Sequence, residues 1–387
     1  MISYVALCAV GAERILGNEL KLLGYKLAGT NTPGRVAFTG DEDAVYRANF
    51  CLRTSDRVYI QLASYDAPDF DALFDGCYAA PWQDYLRLNS RVHVDKVRTY
   101  RSSLESEHAI QGMIQKAIYQ KLGDKYNVSS MPESGAQCDV RVYIENDTAR
   151  ILLDTSGEPL HKRGYRTAGV LAPIRETTAA VLLQEMFWKR KLPLHDPFCG
   201  SGTIPVEAFL FAHDIAPGLG REFAYEGLKI YDEKRALEIK KELAGKIRTD
   251  VLCRISGSDI DPDAVRKAER NAEHAAVMAG RALQMIGSDA KLERPVFAVS
   301  DVADARASSG DAGIILCNPP YGERMGDEQE ASALYGRMSA LFDNFPGWGI
   351  GIITSKKGFQ KDIGHYADKL KSIKAGNLDT TLYIYSK

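Results

Sequence analysis

The tetrad Asn318-Pro319-Pro320-Tyr321, followed by Gly322, combines residue types suited to chemistry on an amine. It comes directly after the apolar run Gly313–Cys317, which reads as a strand, and open α/β sheets place ligands at the carboxyl ends of their strands. An exocyclic amine on a nucleobase is a poor nucleophile, because its lone pair is delocalised into the ring. The Asn318 side-chain oxygen and the Pro319 carbonyl supply two acceptors for the amine hydrogens, which favours a pyramidal nitrogen with its lone pair aimed at an electrophile. Proline cannot donate, so the corner is rigid and rich in acceptors. Tyr321 offers a ring for stacking on a base. A purely structural turn would also use Asn-Pro-Pro. The preceding strand and the motifs upstream argue against that reading.

Upstream lies Asp196-Pro197-Phe198-Cys199-Gly200-Ser201-Gly202-Thr203, between a short strand and a helix. Glycines there let the backbone approach a ligand and point amides at it. The spacing excludes two alternatives. A P-loop needs Gly-Lys followed by Ser or Thr, which occurs nowhere in the chain. A dinucleotide fingerprint needs a small residue three positions after its second glycine, and Pro205 stands there. Gly257-Ser258-Asp259-Ile260-Asp261-Pro262 ends the next strand, where an acidic side chain can hold a ribose diol. Asp259 is the candidate, since Asp261 is placed to cap the following helix. Ser300-Asp301-Val302-Ala303-Asp304 follows a further apolar strand, and its Asp301 carboxylate is a candidate acceptor for an adenine amino group. Cys199 and Cys317 flank these motifs and read as small packing residues.

Two types of segment must position these groups. The first half reads as α+β. Strands are expected at Ile2–Val10, Arg35–Thr39, Arg57–Ala63 and Arg91–Val97, with a hairpin of Val140–Glu145 and Ala149–Asp154 around Asn146-Asp147. Helices are expected at Arg14–Leu23, Asp41–Leu52, Phe70–Ala79 and Glu107–Leu122. From Ile174 strands and helices alternate. Strands fall at Leu194–Asp196, Cys253–Gly257, Val296–Ser300, Gly313–Cys317 and Gly349–Thr354, with Leu382–Tyr385 closing the sheet. Helices fall at Ile174–Trp188, Thr203–Ala212, Tyr231–Ile247, Asp263–Ala279 and near Glu330–Phe342. This alternation implies a parallel, doubly wound sheet. The span Ala216–Thr249 is long and reads either as a lid or as a structural extension.

Composition excludes several classes. The chain has 387 residues, 45% hydrophobic and 26% charged, which is ordinary globular usage. No apolar run approaches the ~20 residues that cross a bilayer. Met1–Leu16 has no basic segment ahead of its apolar stretch, which Glu13 and Arg14 interrupt, so no signal peptide is expected. Seven scattered cysteines, never spaced C-x-x-C, argue for reduced thiols in a cytoplasm and against a structural metal or disulfide framework. With 49 basic and 51 acidic residues the chain is not basic overall. The charge is uneven, however. Arg87–Lys121 holds seven Lys/Arg against three Asp/Glu, and His161–Lys191 seven against two, which makes both stretches candidate basic faces.

Taken together, the motifs make the second half resemble a class I S-adenosylmethionine-dependent methyltransferase that acts on amines. The whole chain resembles the THUMP-domain RNA methyltransferases, through Lys162-Arg163-Gly164-Tyr165-Arg166 and the run Ala172-Pro173-Ile174-Arg175-Glu176-Thr177-Thr178-Ala179-Ala180 as well as the loop and the tetrad. The nearest likeness is to bacterial enzymes that make N2-methylguanosine in 23S ribosomal RNA. The resemblance implies a Rossmann-like class I methyltransferase domain at 161–387, preceded by an N-terminal ferredoxin-like segment at 1–55 and a THUMP RNA-binding domain at 56–160. It implies S-adenosylmethionine as cofactor, with no metal and no membrane. Asp196, Phe198, Gly200, Gly202, Thr203 and Asn318 would line the cofactor, with Thr178 near its methionine end, Asp259 at its ribose and Asp301 at its adenine. Asn318 with Pro319 and Pro320 would orient the target amine, and Tyr321 would pack on the base. Lys96, Arg98, Lys116, Lys162, Arg163 and Arg166 would follow the RNA backbone. The substrate would be 23S rRNA, with tRNA as the alternative. Rival readings are an N6-adenine DNA methyltransferase, a protein glutamine methyltransferase and a catalytically silent RNA-binding factor.

Overall fold

The computed structural model describes residues 1–29, 32–166, 174–307, 312–320, 328–376 and 378–386. The first half contains β1 (Ile2–Leu7), α1 (Glu13–Leu22), β2 (Lys26–Leu27), β3 (Arg35–Gly40), α2 (Ala44–Cys51), β4 (Arg57–Asp66), α3 (Phe70–Ala79), α4 (Trp82–Tyr85), β5 (Arg91–Tyr100), α5 (Glu107–Tyr126), β6 (Gln137–Glu145) and β7 (Thr148–Asp154). Alternation along the strands decides which face is covered. Tyr4, Ala6, Val36, Phe38, Val58, Ile60, Val140, Val142, Ile151 and Leu153 are buried in one core with the helices. Their neighbours in sequence point to the other face, which carries Arg35, Arg57, Tyr59, Arg141 and Tyr143. There Arg35 lies 4.1 Å from the centre of the Tyr143 ring, and Arg141 lies 5.3 Å from that of Tyr59. Asn146 and Asp147, both at positive φ (51° and 56°), form the two-residue hairpin turn between β6 and β7. The sheet order is β2-β3-β1-β4-β7-β6-β5. This one sheet runs across the expected border at 55/56, because β4 pairs with β1 on one side and with β7 on the other.

The second half contains α6 (Glu176–Glu185), β8 (Leu194–Asp196), α7 (Thr203–Ala212), α8 (Glu233–Ala244), β9 (Ile255–Asp259), α9 (Pro262–Gln284), β10 (Val296–Val299), β11 (Ile314–Cys317), α10 (Glu328–Met338), α11 (Ala340–Asn344), β12 (Gly349–Thr354), α12 (Phe359–Ile363), β13 (Lys369–Ala375) and β14 (Leu378–Tyr385). The order is β10-β9-β8-β11-β12-β14-β13. The first five strands are parallel, while β14 runs antiparallel to both β12 and β13. The strand at Leu382–Tyr385 therefore does not close the sheet. It is interior, and β13 forms the edge. β13 is rich in lysine, with only Ile373 fully buried, so it gave no apolar signal. The helix expected near Glu330–Phe342 is two helices that break at Ser339. α7 is buried almost all round, and Pro205 is accommodated in its first turn, where a missing N–H costs nothing.

The long span Ala216–Thr249 is a seam. Gly218 N–H donates to the Phe50 carbonyl at 2.9 Å, and Tyr46 donates its hydroxyl proton to the Ile230 carbonyl at 3.1 Å. Arg47 pairs with Glu242, and Arg235 pairs with Asp43. Tyr46 and Phe50 meet Tyr225 and Phe223 edge to face between the two halves, and Phe223 and Tyr225 stack in parallel on each other. No helix among the described residues is long and apolar enough to cross a membrane.

Candidate active site

The topology reverses between β8 and β11, and the candidate residues gather at the carboxyl ends of the strands on either side. Asp196 ends β8. Its carboxylate accepts the Phe198 amide at 3.0 Å and is buried, which pushes its pKa well above the ordinary range, with the nearby charge of Asp259 adding to the effect. The loop then doubles back. Cys199 N–H donates to the Ser258 carbonyl at 2.9 Å, and Gly202 N–H to the Cys199 carbonyl at 2.7 Å. Gly202 caps α7 at φ +80°, and a Cβ there would stand 2.9 Å from the Ala268 Cβ. Gly257 has the same constraint from the other side, at 2.8 Å from the Cys199 Cβ. Gly200 differs. It sits at φ +53° with nothing within 4 Å of a Cβ position, so the loop opens into free space at that point.

Asp259 ties this loop to β9. One carboxylate oxygen accepts the Gly200 amide at 2.9 Å and the other accepts the Asp261 amide at 3.0 Å. Asp261 caps α9 as its position implied, accepting from the Asp263 amide at 2.8 Å. Asp301 follows β10. It accepts the Ala303 amide at 2.9 Å and pairs with Arg337, and these two contacts hold its carboxyl below the usual range. Thr178 is buried in α6, beside Thr177, whose hydroxyl donates to Asp56 at 2.7 Å.

At the end of β11, the Asn318 side-chain oxygen is buried and has no hydrogen-bond partner among the described residues. An unpaired buried acceptor costs about 1–3 kcal/mol and calls for an explanation. Pro319 is buried. The Pro320 carbonyl accepts the Tyr335 hydroxyl at 3.0 Å, which locks the corner from α10. Tyr335 is fully buried against Phe359, with ring centres 5.0 Å apart and an 85° tilt. Nothing in the sequence around Tyr335 marks it, and the same holds for Arg337. Tyr321 lies outside the described residues. Burial pushes the thiols of Cys199 and Cys317 upward, which fits the packing role expected of them.

The six basic candidates do not form one surface. Lys96 and Arg98 stand on the open face of the first sheet, and Arg98 is paired with Glu107 at 3.1 Å. Lys116 is exposed on α5, which packs on the opposite face. Lys162 is exposed at the junction and paired with Glu158. Arg163 is a correction. It is 2% exposed and gripped by Glu207 at 3.3 Å, with its other donors on the Leu160 and Arg53 carbonyls. Its charge is spent inside the protein. Arg166 also turns inward, donating to the Thr203 hydroxyl at 2.8 Å and lying 3.2 Å from Glu176. It thereby braces the start of α7 instead of facing a phosphate.

The geometry defines a methyltransferase site, in which a glycine loop and two acidic strand ends on one side of the reversal meet an acceptor corner on the other. Residues 163–384 match the RMKL-like methyltransferase domain, and residues 3–59 match the RlmL ferredoxin-like domain. The chain belongs to the RMKL-like methyltransferase family. It is 35% identical to YpsC of Bacillus subtilis (strain 168), over 99% of this chain and 95% of that one; that protein is provisionally named an RNA methyltransferase. It is 32% identical to the ribosomal RNA large subunit methyltransferase K/L of Photobacterium profundum, over 100% of this chain and 53% of the relative. The chain thus spans about half the length of the K/L relatives. Among solved structures, SMU.472, provisionally described as a methyltransferase and crystallised with S-adenosylhomocysteine (SAH), superposes with a TM-score of 0.87 at 33% identity, covering 100% of this chain and 98% of that one. A Listeria monocytogenes (str. 4b F2365) protein described as a predicted N6-adenine-specific DNA methylase gives 0.89 at 36% identity, covering 99% and 96%. The cofactor is S-adenosylmethionine. The free space above Gly200 and the paired acidic strand ends fit it.

Proposed function

We propose that this protein transfers a methyl group from S-adenosylmethionine to the exocyclic N2 of a guanosine in RNA, with large-subunit ribosomal RNA as the substrate. The observation that carries the reading is the buried Asn318 oxygen at the end of β11, which has no partner among the described residues. It is an acceptor waiting for a donor, and the donor it suits is an amine hydrogen. The names of the K/L relatives support RNA of the large ribosomal subunit as the class of substrate.

On this reading Asp259 would take the ribose hydroxyls and Asp301 the adenine amine, while Asp196 and the amides of Phe198, Gly200 and Gly202 would shape the seat, with Thr178 and Thr203 at its rim. When bound, the cofactor supplies an activated methyl group. Asn318 and the Pro319 carbonyl hold the amine hydrogens, so that the nitrogen lone pair faces that methyl. Tyr335 fixes the corner through Pro320, and Tyr321 packs on the base. Positioning and exclusion of water lower the barrier, and the amine proton leaves to solvent after transfer. A target inside a helix is flipped out at a cost of a few kcal/mol. The first sheet is the RNA-docking half, with Lys96 and Arg98 on its open face and Lys162 at the junction.

The test is methyl transfer from tritiated S-adenosylmethionine to protein-free 23S rRNA, bulk tRNA and genomic DNA, each from cells lacking this protein, followed by nucleoside analysis. Label in N2-methylguanosine of 23S rRNA is expected. Label in N6-methyladenine of DNA, as the description of the Listeria structure suggests for that protein, overturns the substrate. Asn318→Ala is expected to cut the rate by about 10²-fold or more, as for loss of one preorganised hydrogen-bonding group. A rate within threefold of wild type would remove Asn318 from the mechanism.

A further inference from the structure

A cavity of about 600 Å³ opens at the end of β12, the strand paired with the one that leads into the Asn-Pro-Pro corner. It belongs to the substrate half of the topology. The cofactor candidates sit on β8, β9 and β10, whereas this cavity lies at the end of β12 and along β13 and β14, across the reversal. Its link to the corner runs through the sheet: Cys317, just before Asn318, stands beside Ile352 of β12, two residues before Thr354, which lines the cavity. Three lysines line it, Lys356 and Lys357 from the turn after β12 and Lys374 from β13, against a single acidic residue, Asp379. Lys356 stands 4.0 Å from Asp362. Lys357 and Lys374 are exposed, and neither closes an ion pair among the described residues.

The first half of the chain completes the wall. The Lys374 amide donates to the Val10 carbonyl at 2.9 Å. Gly11 sits so close to β13 that a Cβ there would lie 2.2 Å from the Ser372 carbonyl oxygen. The cavity is therefore where the RNA-docking half touches the methyltransferase sheet, next to the reacting corner. We propose that Lys357 and Lys374 hold the RNA phosphates flanking the nucleotide presented to Asn318. The inference rests on the RNA reading above. A phosphate chain fits the chemistry because these two exposed lysines, which close no ion pair among the described residues, are point charges on flexible stems lining an open groove, with Asp379 across the strand from Lys374 as the one acidic residue of the lining.

The test is binding of wild type and the Lys357→Gln/Lys374→Gln variant of the full chain to the RNA that accepts methyl, over a salt series. Each phosphate contact on a single strand contributes ~0.7 to the slope of log K against log salt. Two lost contacts should lower the slope by about 1.4 and weaken binding about 25-fold at 0.1 M salt. The KM for RNA should rise to match, with kcat and the affinity for S-adenosylmethionine unchanged. Lys234→Gln/Lys241→Gln, exposed on α8 and outside both basic stretches, serves as control and should leave the slope intact. If wild type methylates RNA and the Lys357/Lys374 variant keeps its slope and KM, the inference is overturned while the proposed function stands. If wild type methylates no RNA, both fall together.

Discussion

Arg163 is the residue whose removal tests the internal architecture most severely. Its guanidinium lies 3.3–3.4 Å from both oxygens of Glu207, which is itself 1% exposed, and it also feeds the carbonyls of Leu160 and Arg53. Arg163→Met removes the partner and leaves Glu207 with the Tyr165 hydroxyl at 3.2 Å, together with two carbonyls short of a donor. Breaking a buried pair from one side costs about 3–5 kcal/mol, because a charge is left without compensation. At about 2–4 °C per kcal/mol for a cooperative unit of 150–250 residues, calorimetry should show a fall in Tm of at least ~6 °C. The double variant Arg163→Met/Glu207→Leu should recover most of the loss, since replacing a buried pair with apolar side chains is close to neutral. Below its melting point, the single variant should bind RNA with an unaltered salt slope. Wild-type stability combined with a slope reduced by ~0.7 would mean that Arg163 faces a phosphate, and its assignment to the interior would be wrong.

Two further outcomes are expected. Burial raises the Glu176 pKa to about 7, with Arg166 opposing. Between pH ~4.5 and ~7 the folded chain therefore keeps a proton that the unfolded chain has released, and stability falls as pH rises through that window, by up to about 3 kcal/mol. Glu176→Gln should abolish this decline, and urea unfolding at both ends of the window reads it; a parallel decline in the variant would place its origin elsewhere. The two loop glycines should separate. Gly202→Ala, crowded by Ala268 at a left-handed φ, should destabilise the fold by about 1–2 kcal/mol or more. Gly200→Ala points its methyl into open space, so its larger effect should be on cofactor affinity measured by titration calorimetry; equal effects of the two variants on affinity would deny Gly200 its place in the seat.

Much of the second sheet could be read directly, because buried parallel strands are short apolar runs ended by turns. Leu194–Asp196 and Gly349–Thr354 fall where the pattern places them. β13 could not be read this way, since an exposed edge strand of lysines has no apolar period. The candidate site divides along similar lines. Asp196, Asp259 and Asn318 announce themselves by standing at strand ends, a local property. Tyr335 and Arg337 act on Pro320 and Asp301 from a helix 15 and 36 residues away, and a contact across that separation leaves no local trace. Arg163 misleads for the same reason. A basic run shows the charge, but the buried Glu207 that consumes it lies 44 residues downstream. The seam at Ala216–Thr249 likewise declares its partner only in three dimensions.

That seam joins the two halves through stacked aromatic rings, ion pairs and backbone hydrogen bonds, with Gly11 pressed against Ser372 as a second point of attachment. Halves joined by a small polar interface pivot, whereas halves joined through a packed apolar one do not. With the seam closed as it is here, the span from the open sheet face to the Asn318 corner is one length, and on the proposed function the molecule works as a ruler. It would select its nucleotide by how far that nucleotide lies from the docked part of the RNA. A substrate altered by one inserted base pair between the two would then be gripped as tightly as before and left unmethylated.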